Sequence, residues 1–148
     1  MTTWKNIPPR FKHQINGAAR SATRTVKTDA QRELEKAKRE EHERALETRL
    51  IQAGIVHMKQ VELLKAWQLG YVWDFVIMVN GEAVAAVEVN GGIWQTGGHN
   101  TGTGLTRDYE KNNHLLALRH IPTLPVAPEH ITDGRAIGWI KAYLGERA

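Results

Sequence analysis

No cysteine occurs among the 148 residues, so disulfides and thiolate metal sites are excluded. No apolar run approaches the roughly 18 residues that a membrane span needs. The basic N-terminus is not followed by the apolar segment of a secretion signal, and the expectation is a cytoplasmic protein. No zinc-like histidine pairing is present either: His13, His42, His57, His114, His120 and His130 are scattered, with nothing of the HExxH kind among them. Residues 1–27 lack Asp and Glu altogether, yet carry Lys5, Arg10, Lys12, Arg20, Arg24 and Lys27.

That one-sided segment dominates the charge map. The net charge is only +4, but residues 1–50 hold 12 basic and 7 acidic residues, against 2 and 4 in 51–100 and 6 and 5 in 101–148. A basic arm joined to a nearly neutral body suits a polyanion, because each neutralised phosphate releases counterions. A solubilising tail is the plainer alternative. The length fits one domain with a single core. The segmentation is thus a basic arm, 1–27, and a body, 28–148, entered through a long helix over 28–53.

Thr28 or Asp29 can cap that helix and Gly54 can end it. Its first half, DAQRELEKAKREEHER, is charged nearly all round, with Glu35–Arg39 and Glu40–Arg44 at supportive spacing. Its second half gains an apolar face in Ala45, Leu46, Leu50 and Ile51. The apolar repeat is too sparse to define a coiled coil, although the helix offers a surface for a homodimer. Beyond it, VHMKQVELLKAW reads as an edge strand with a loop. YVWDFVIMV (71–79) and AVAAVEV (83–89) read as a hairpin about Asn80-Gly81. A tract with six of the 13 glycines follows, then a helix over 107–119, a short strand over 121–127 and a terminal helix. The order predicts an α/β sandwich with a mixed central sheet.

Strand alternation gives the hairpin its chemistry. Asp74, Val76 and Met78 share one face of the first strand, and Ala86, Glu88 and Asn90 share one face of the second. The turn sets Asp74 and Glu88 close to opposite each other. Two such carboxylates either meet water on an exposed face or share a cation, for which Mg²⁺ is suited by its preference for hard oxygen ligands. On the next helix Asp108, Lys111, Asn112 and Leu115 fall on one face. Lys111 is therefore either a surface charge or a cation delivered to the acids.

The ordered series WDF, VEVNGG, GGH and RDYEKNN resembles the PD-(D/E)xK nuclease superfamily. It is most similar to the small phage and bacterial endonucleases related to very-short-patch repair enzymes, over about residues 43–143. The resemblance implies a restriction-endonuclease-like α-β-β-β-α-β core and a Mg²⁺-dependent DNA endonuclease, with Mn²⁺ as a substitute. It implies Asp74 and Glu88 as metal ligands, the carbonyl of Val89 as a third, and Glu43 or Glu47 as an additional acid. Lys111 stands in for the family's usual Lys, whose slot is taken by Asn90. His99 would orient water or touch the scissile phosphate. Gly98 and Thr101 stand where arginines are expected, which leaves phosphate binding to the basic arm and to Asn90. Gly91, Gly92, Gly97, Gly98, Gly102 and Gly104 let a loop backbone approach phosphates. Trp94 either stacks on a base or caps the core. Small enzymes of this kind recognise DNA shape, such as a junction, flap or mismatch. A catalytically silent DNA-binding module is the alternative.

Overall fold

The computed structural model describes residues 26–91 and 102–145. The chain divides into two units within the first helix, between Arg32 and Glu33; the sheet and everything packed on it belong to the second. Helix α1 spans Asp29–Gln52. Thr28 caps it through a reciprocal pair: the Gln31 N–H donates to Thr28 Oγ1 at 3.2 Å, and the Thr28 N–H donates to Gln31 Oε1 at 2.9 Å. Its C-terminus closes by hydrogen bonds from the Gly54 N–H to the Ile51 carbonyl and from the Ile55 N–H to the Leu50 carbonyl, both 3.0 Å. Gly54 at φ 68° permits that reversal.

Strand β1 (His57–Val61) leads through a 3-10 turn at Lys65–Trp67 into β2 (Trp73–Val79) and β3 (Glu82–Val89). Asn80 at φ 52° and Gly81 at φ 79° make the expected tight turn. Helix α2 (Gly102–Arg119) crosses to β4 (Thr123–Val126), followed by α3 (Pro128–Thr132) and α4 (Arg135–Tyr143). The sheet order is β1-β2-β3-β4. The first two pairings are antiparallel and β3–β4 is parallel, because a helical crossover returns the chain in the same direction. The fold is therefore mixed α/β, with a four-stranded mixed sheet and, among the described residues, four α-helices.

Each face of the sheet carries its own apolar cluster. On one, Leu46 and Leu50 of α1 and Ile131, Ala136 and Ile140 of the last two helices meet Phe75, Ile77, Ala85, Val87 and Val89. On the other, Leu63, Leu64, Leu115 and Ile121 meet Trp73, Val76 and Ala86. Full burial of each large side chain stabilises the fold by about 1.5–3 kcal/mol. Val76 and Ala86 on one face and Phe75, Ile77, Ala85, Val87 and Val89 on the other follow the expected alternation, from which Trp73 departs.

Two expectations need correction. Helix α2 begins at Gly102 rather than near residue 107, so Gly102 and Gly104 are helical and not part of a phosphate-approaching loop. The terminal helix is preceded by the separate short α3, where the Ala127 N–H donates to His130 Nδ1 at 3.0 Å. Trp73 is fully buried, while Trp67 and Trp139 are exposed at about 40% of their surface and border the core.

Candidate functional site

The β2–β3 register pairs Phe75 with Val87 and Val76 with Ala86. Extending it by one residue sets Asp74 opposite Glu88, near the carboxyl end of β3 from which the chain departs toward α2. Among the described residues, Asp74 is the one polar side chain that is buried, at 1% exposure. Its two oxygens are separately held: the Val89 N–H donates to Oδ2 at 2.9 Å, and Arg39 Nη2 donates to Oδ1 at 3.0 Å. A backbone donor and a cation are what a buried carboxylate requires, since neither alone replaces its lost hydration.

Glu88 is nearly as enclosed, with 14% of its side chain exposed. Lys111 Nζ donates to Glu88 Oε1 and to the Val72 carbonyl at 2.6 Å. The same ammonium lies 4.9 Å from the Trp73 ring centroid, where the ring's negative face favours it. Helix α2 delivers Lys111 because Leu115, one turn on, is anchored in the core beneath the same face. Despite this partner, burial pushes the Glu88 carboxyl up to about 7. The bond from Lys111 pulls the other way, and the neighbouring Asp74 charge adds to the rise.

Arg39 joins a third carboxylate to the pair. Its Nε donates to Glu43 Oε1 at 3.0 Å, and Gln60 Nε2 approaches Glu43 Oε2 at 3.5 Å. Burial disfavours the Arg39 charge, but hydrogen bonds and attraction from Asp74 and Glu43 outweigh it and raise its pKa. Gln60 sits between Lys59 and Val61, which pair with Phe75 and Trp73, so it falls opposite Asp74. It adopts φ 51°, an uncommon conformation for a non-glycine residue.

The structure thus brings together Asp74, Glu88, Lys111 and, of the two alternatives on α1, Glu43. Glu47 is directed elsewhere: its Oε2 accepts from Lys59 Nζ at 2.7 Å, and His57 Nε2 lies 3.9 Å from its Oε1. Val89 is present through its N–H on Asp74. Asn90 is exposed, and its N–H donates to the Val126 carbonyl at 2.8 Å. His99, Trp94, Lys5, Arg10, Lys12, Arg20 and Arg24 lie outside the described residues. Arg39 and Gln60 were not anticipated. Their contacts span 35 and 17 residues, and only the Arg39–Glu43 spacing of four residues carried a local signal.

Two enclosed carboxylates with a third beside them form a hard-oxygen donor set. This fits Mg²⁺, which is commonly held by one or two carboxylates together with water and substrate phosphate. It does not fit an all-protein cage: among the described residues no three His, Asp or Glu side chains converge closely enough to hold a metal alone. Among the described residues, no helix is long and apolar enough to cross a membrane. No protein-family model, curated protein or solved structure matches the chain.

Proposed function

We propose that this chain is a metal-dependent DNA endonuclease of PD-(D/E)xK type that hydrolyses phosphodiester bonds at a distorted DNA structure such as a junction, flap or mismatch. The observation that carries the reading is the enclosed Asp74–Glu88 pair with Lys111 held against it. A surface sheet face would leave both acids in water, whereas here burial holds the Glu88 pKa near 7. Strongly perturbed carboxyls in such surroundings mark functional sites more often than ordinary ones. The α-β-β-β-α-β order of α1 to β4 is the order that the family resemblance implies.

Asp74 and Glu88, with the Val89 carbonyl, would hold Mg²⁺ or Mn²⁺, which supplies Lewis-acid activation of water and neutralises phosphate charge. Lys111 presents an ammonium, fixed by the Val72 carbonyl and the Trp73 ring, to the charge that develops on the phosphoryl oxygens. Val89 N–H fixes the Asp74 carboxylate so that little reorganisation accompanies the reaction. Exposed Lys36 and Lys38 on α1 add cations suited to a DNA backbone.

The test is cleavage of labelled duplex, single-stranded, flap and four-way-junction DNA with Mg²⁺, Mn²⁺ or EDTA. Wild-type protein is expected to cut only with metal, and Asp74→Asn or Glu88→Gln to reduce the rate by about 100-fold or more. Undiminished cutting by both variants would refute the site. A second reading is a DNA-binding module of low activity. It is favoured by the protein cations already on both acids, Arg39 on Asp74 and Lys111 on Glu88, and it predicts binding without cutting under every metal condition.

A further inference from the structure

Arg39 is unlike the other members of the cluster. Its side chain is 61% exposed, while those of its partners Asp74 and Glu43 are 2% and 13% exposed. Nη2 holds Asp74 Oδ1 and Nε holds Glu43 Oε1, each at 3.0 Å. Two neighbouring nitrogens of one guanidinium therefore gather one oxygen from each of two acids on different elements.

The second oxygen of each acid is held by something else. Asp74 Oδ2 accepts from the Val89 N–H at 2.9 Å, and Glu43 Oε2 faces Gln60 Nε2 at 3.5 Å. Departure of the guanidinium would leave both carboxylates anchored to the scaffold, with the converging oxygens free. Lys111 is differently placed. It is 16% exposed and bound to Val72 and Glu88, so it is part of the enclosed wall.

On the proposed reading of this site as a divalent-metal centre, we infer that Arg39 is a displaceable counter-cation. It is a positioning residue that offsets the repulsion between Asp74 and Glu43 and yields their two oxygens to an incoming divalent cation. The guanidinium, 61% exposed, can withdraw into water without itself becoming a buried unpaired charge. Asp74 cannot lose its cation without a replacement, since an unpaired buried charge is strongly destabilising. Exchange of one cation for another follows, with the Glu43 oxygen released together with that of Asp74. Metal affinity is scaled down by the fraction of molecules in which Arg39 is released.

The experiment is calorimetric titration of Mn²⁺ into the full chain without DNA, comparing wild type with Arg39→Gln and Arg39→Lys, each first melted in EDTA to establish folding. Arg39→Gln is expected to bind Mn²⁺ about tenfold more tightly, the gain that follows if the engaged state outweighs the released one by about that factor. Arg39→Lys, a point charge that does not bridge two acids with one planar group, should fall between. Equal or weaker affinity in Arg39→Gln, with uptake present, overturns the exchange and leaves the nuclease reading standing. No uptake by any variant overturns both. If Arg39→Gln does not fold, Arg39→Lys decides in the same way: tighter binding supports the exchange and equal binding refutes it.

Discussion

Two lysine–glutamate pairs flank the same sheet and behave in opposite ways. Lys59–Glu47 joins β1 to α1 at 2.7 Å, with side chains 40% and 29% exposed. Lys111–Glu88 joins α2 to β3, with side chains 16% and 14% exposed. The bond from Lys59 lowers the Glu47 pKa, whereas burial raises that of Glu88 to about 7 in spite of Lys111. The same two functional groups thus give opposite shifts. Lys59 meets an acid that water still reaches, so the hydrogen bond and the charge decide. Lys111 meets an acid that has lost its water and lies beside Asp74, so desolvation and repulsion decide. Identity of partners says little about function; enclosure says more.

The sharpest way to break this contrast is to remove both lysines in turn. Lys111→Met keeps the stem packed on Trp73 but leaves Glu88 without its cation. At pH 8 it should destabilise the protein by about 2–4 kcal/mol in urea unfolding, near the range for halving a buried pair. Adding Glu88→Gln should recover most of that loss. The same substitution at Lys59 should cost no more than about 1 kcal/mol. Equal losses at the two sites would erase the distinction.

A second effect separates the pairs by its sign. Glu88 has an unfolded value of 4.5 and a folded value of about 7. Between these, the folded state binds more protons, so its stabilising contribution is complete below 4.5 and is lost as pH rises through 7. Wild type should lose on the order of 1–3 kcal/mol across that window relative to Glu88→Gln. Glu47, with its lowered pKa, contributes above 4.5 and loses that contribution as pH falls through its folded value. Glu47→Gln should therefore show a deficit that is small, under about 1 kcal/mol, present above pH 4.5 and fading as pH falls below it. Parallel pH profiles for the two glutamine variants would contradict the account.

Much of this arrangement was legible before any coordinates. Asn80-Gly81 announced the hairpin, because both positions need φ > 0. Once that turn is placed, the two-residue period of a strand brings Asp74 opposite Glu88. Helical spacing from buried Leu115 carries Lys111 to the same face. Glu43 and Glu47, one turn apart, were indistinguishable in sequence. The choice depends on how α1 rotates onto the sheet, which buried Leu46 and Leu50 determine. The start of α2 was obscured by the poor helix propensity of glycine, since Gly102 and Gly104 are nonetheless helical. Short α3 offers too few residues to show a period. Arg39 was hidden for a different reason. Its partner Asp74 is 35 residues away, and only the folded chain brings them together.

The most direct measurement is the carboxyl titration of Glu88 by carbon-detected NMR in the metal-free protein, with Glu88→Gln to assign the signal. A midpoint near 7, well above that of Glu47, is the predicted result. A midpoint near 4.5 would show that burial does not outweigh Lys111 at Glu88, and would contradict the claim that enclosure sets this site apart.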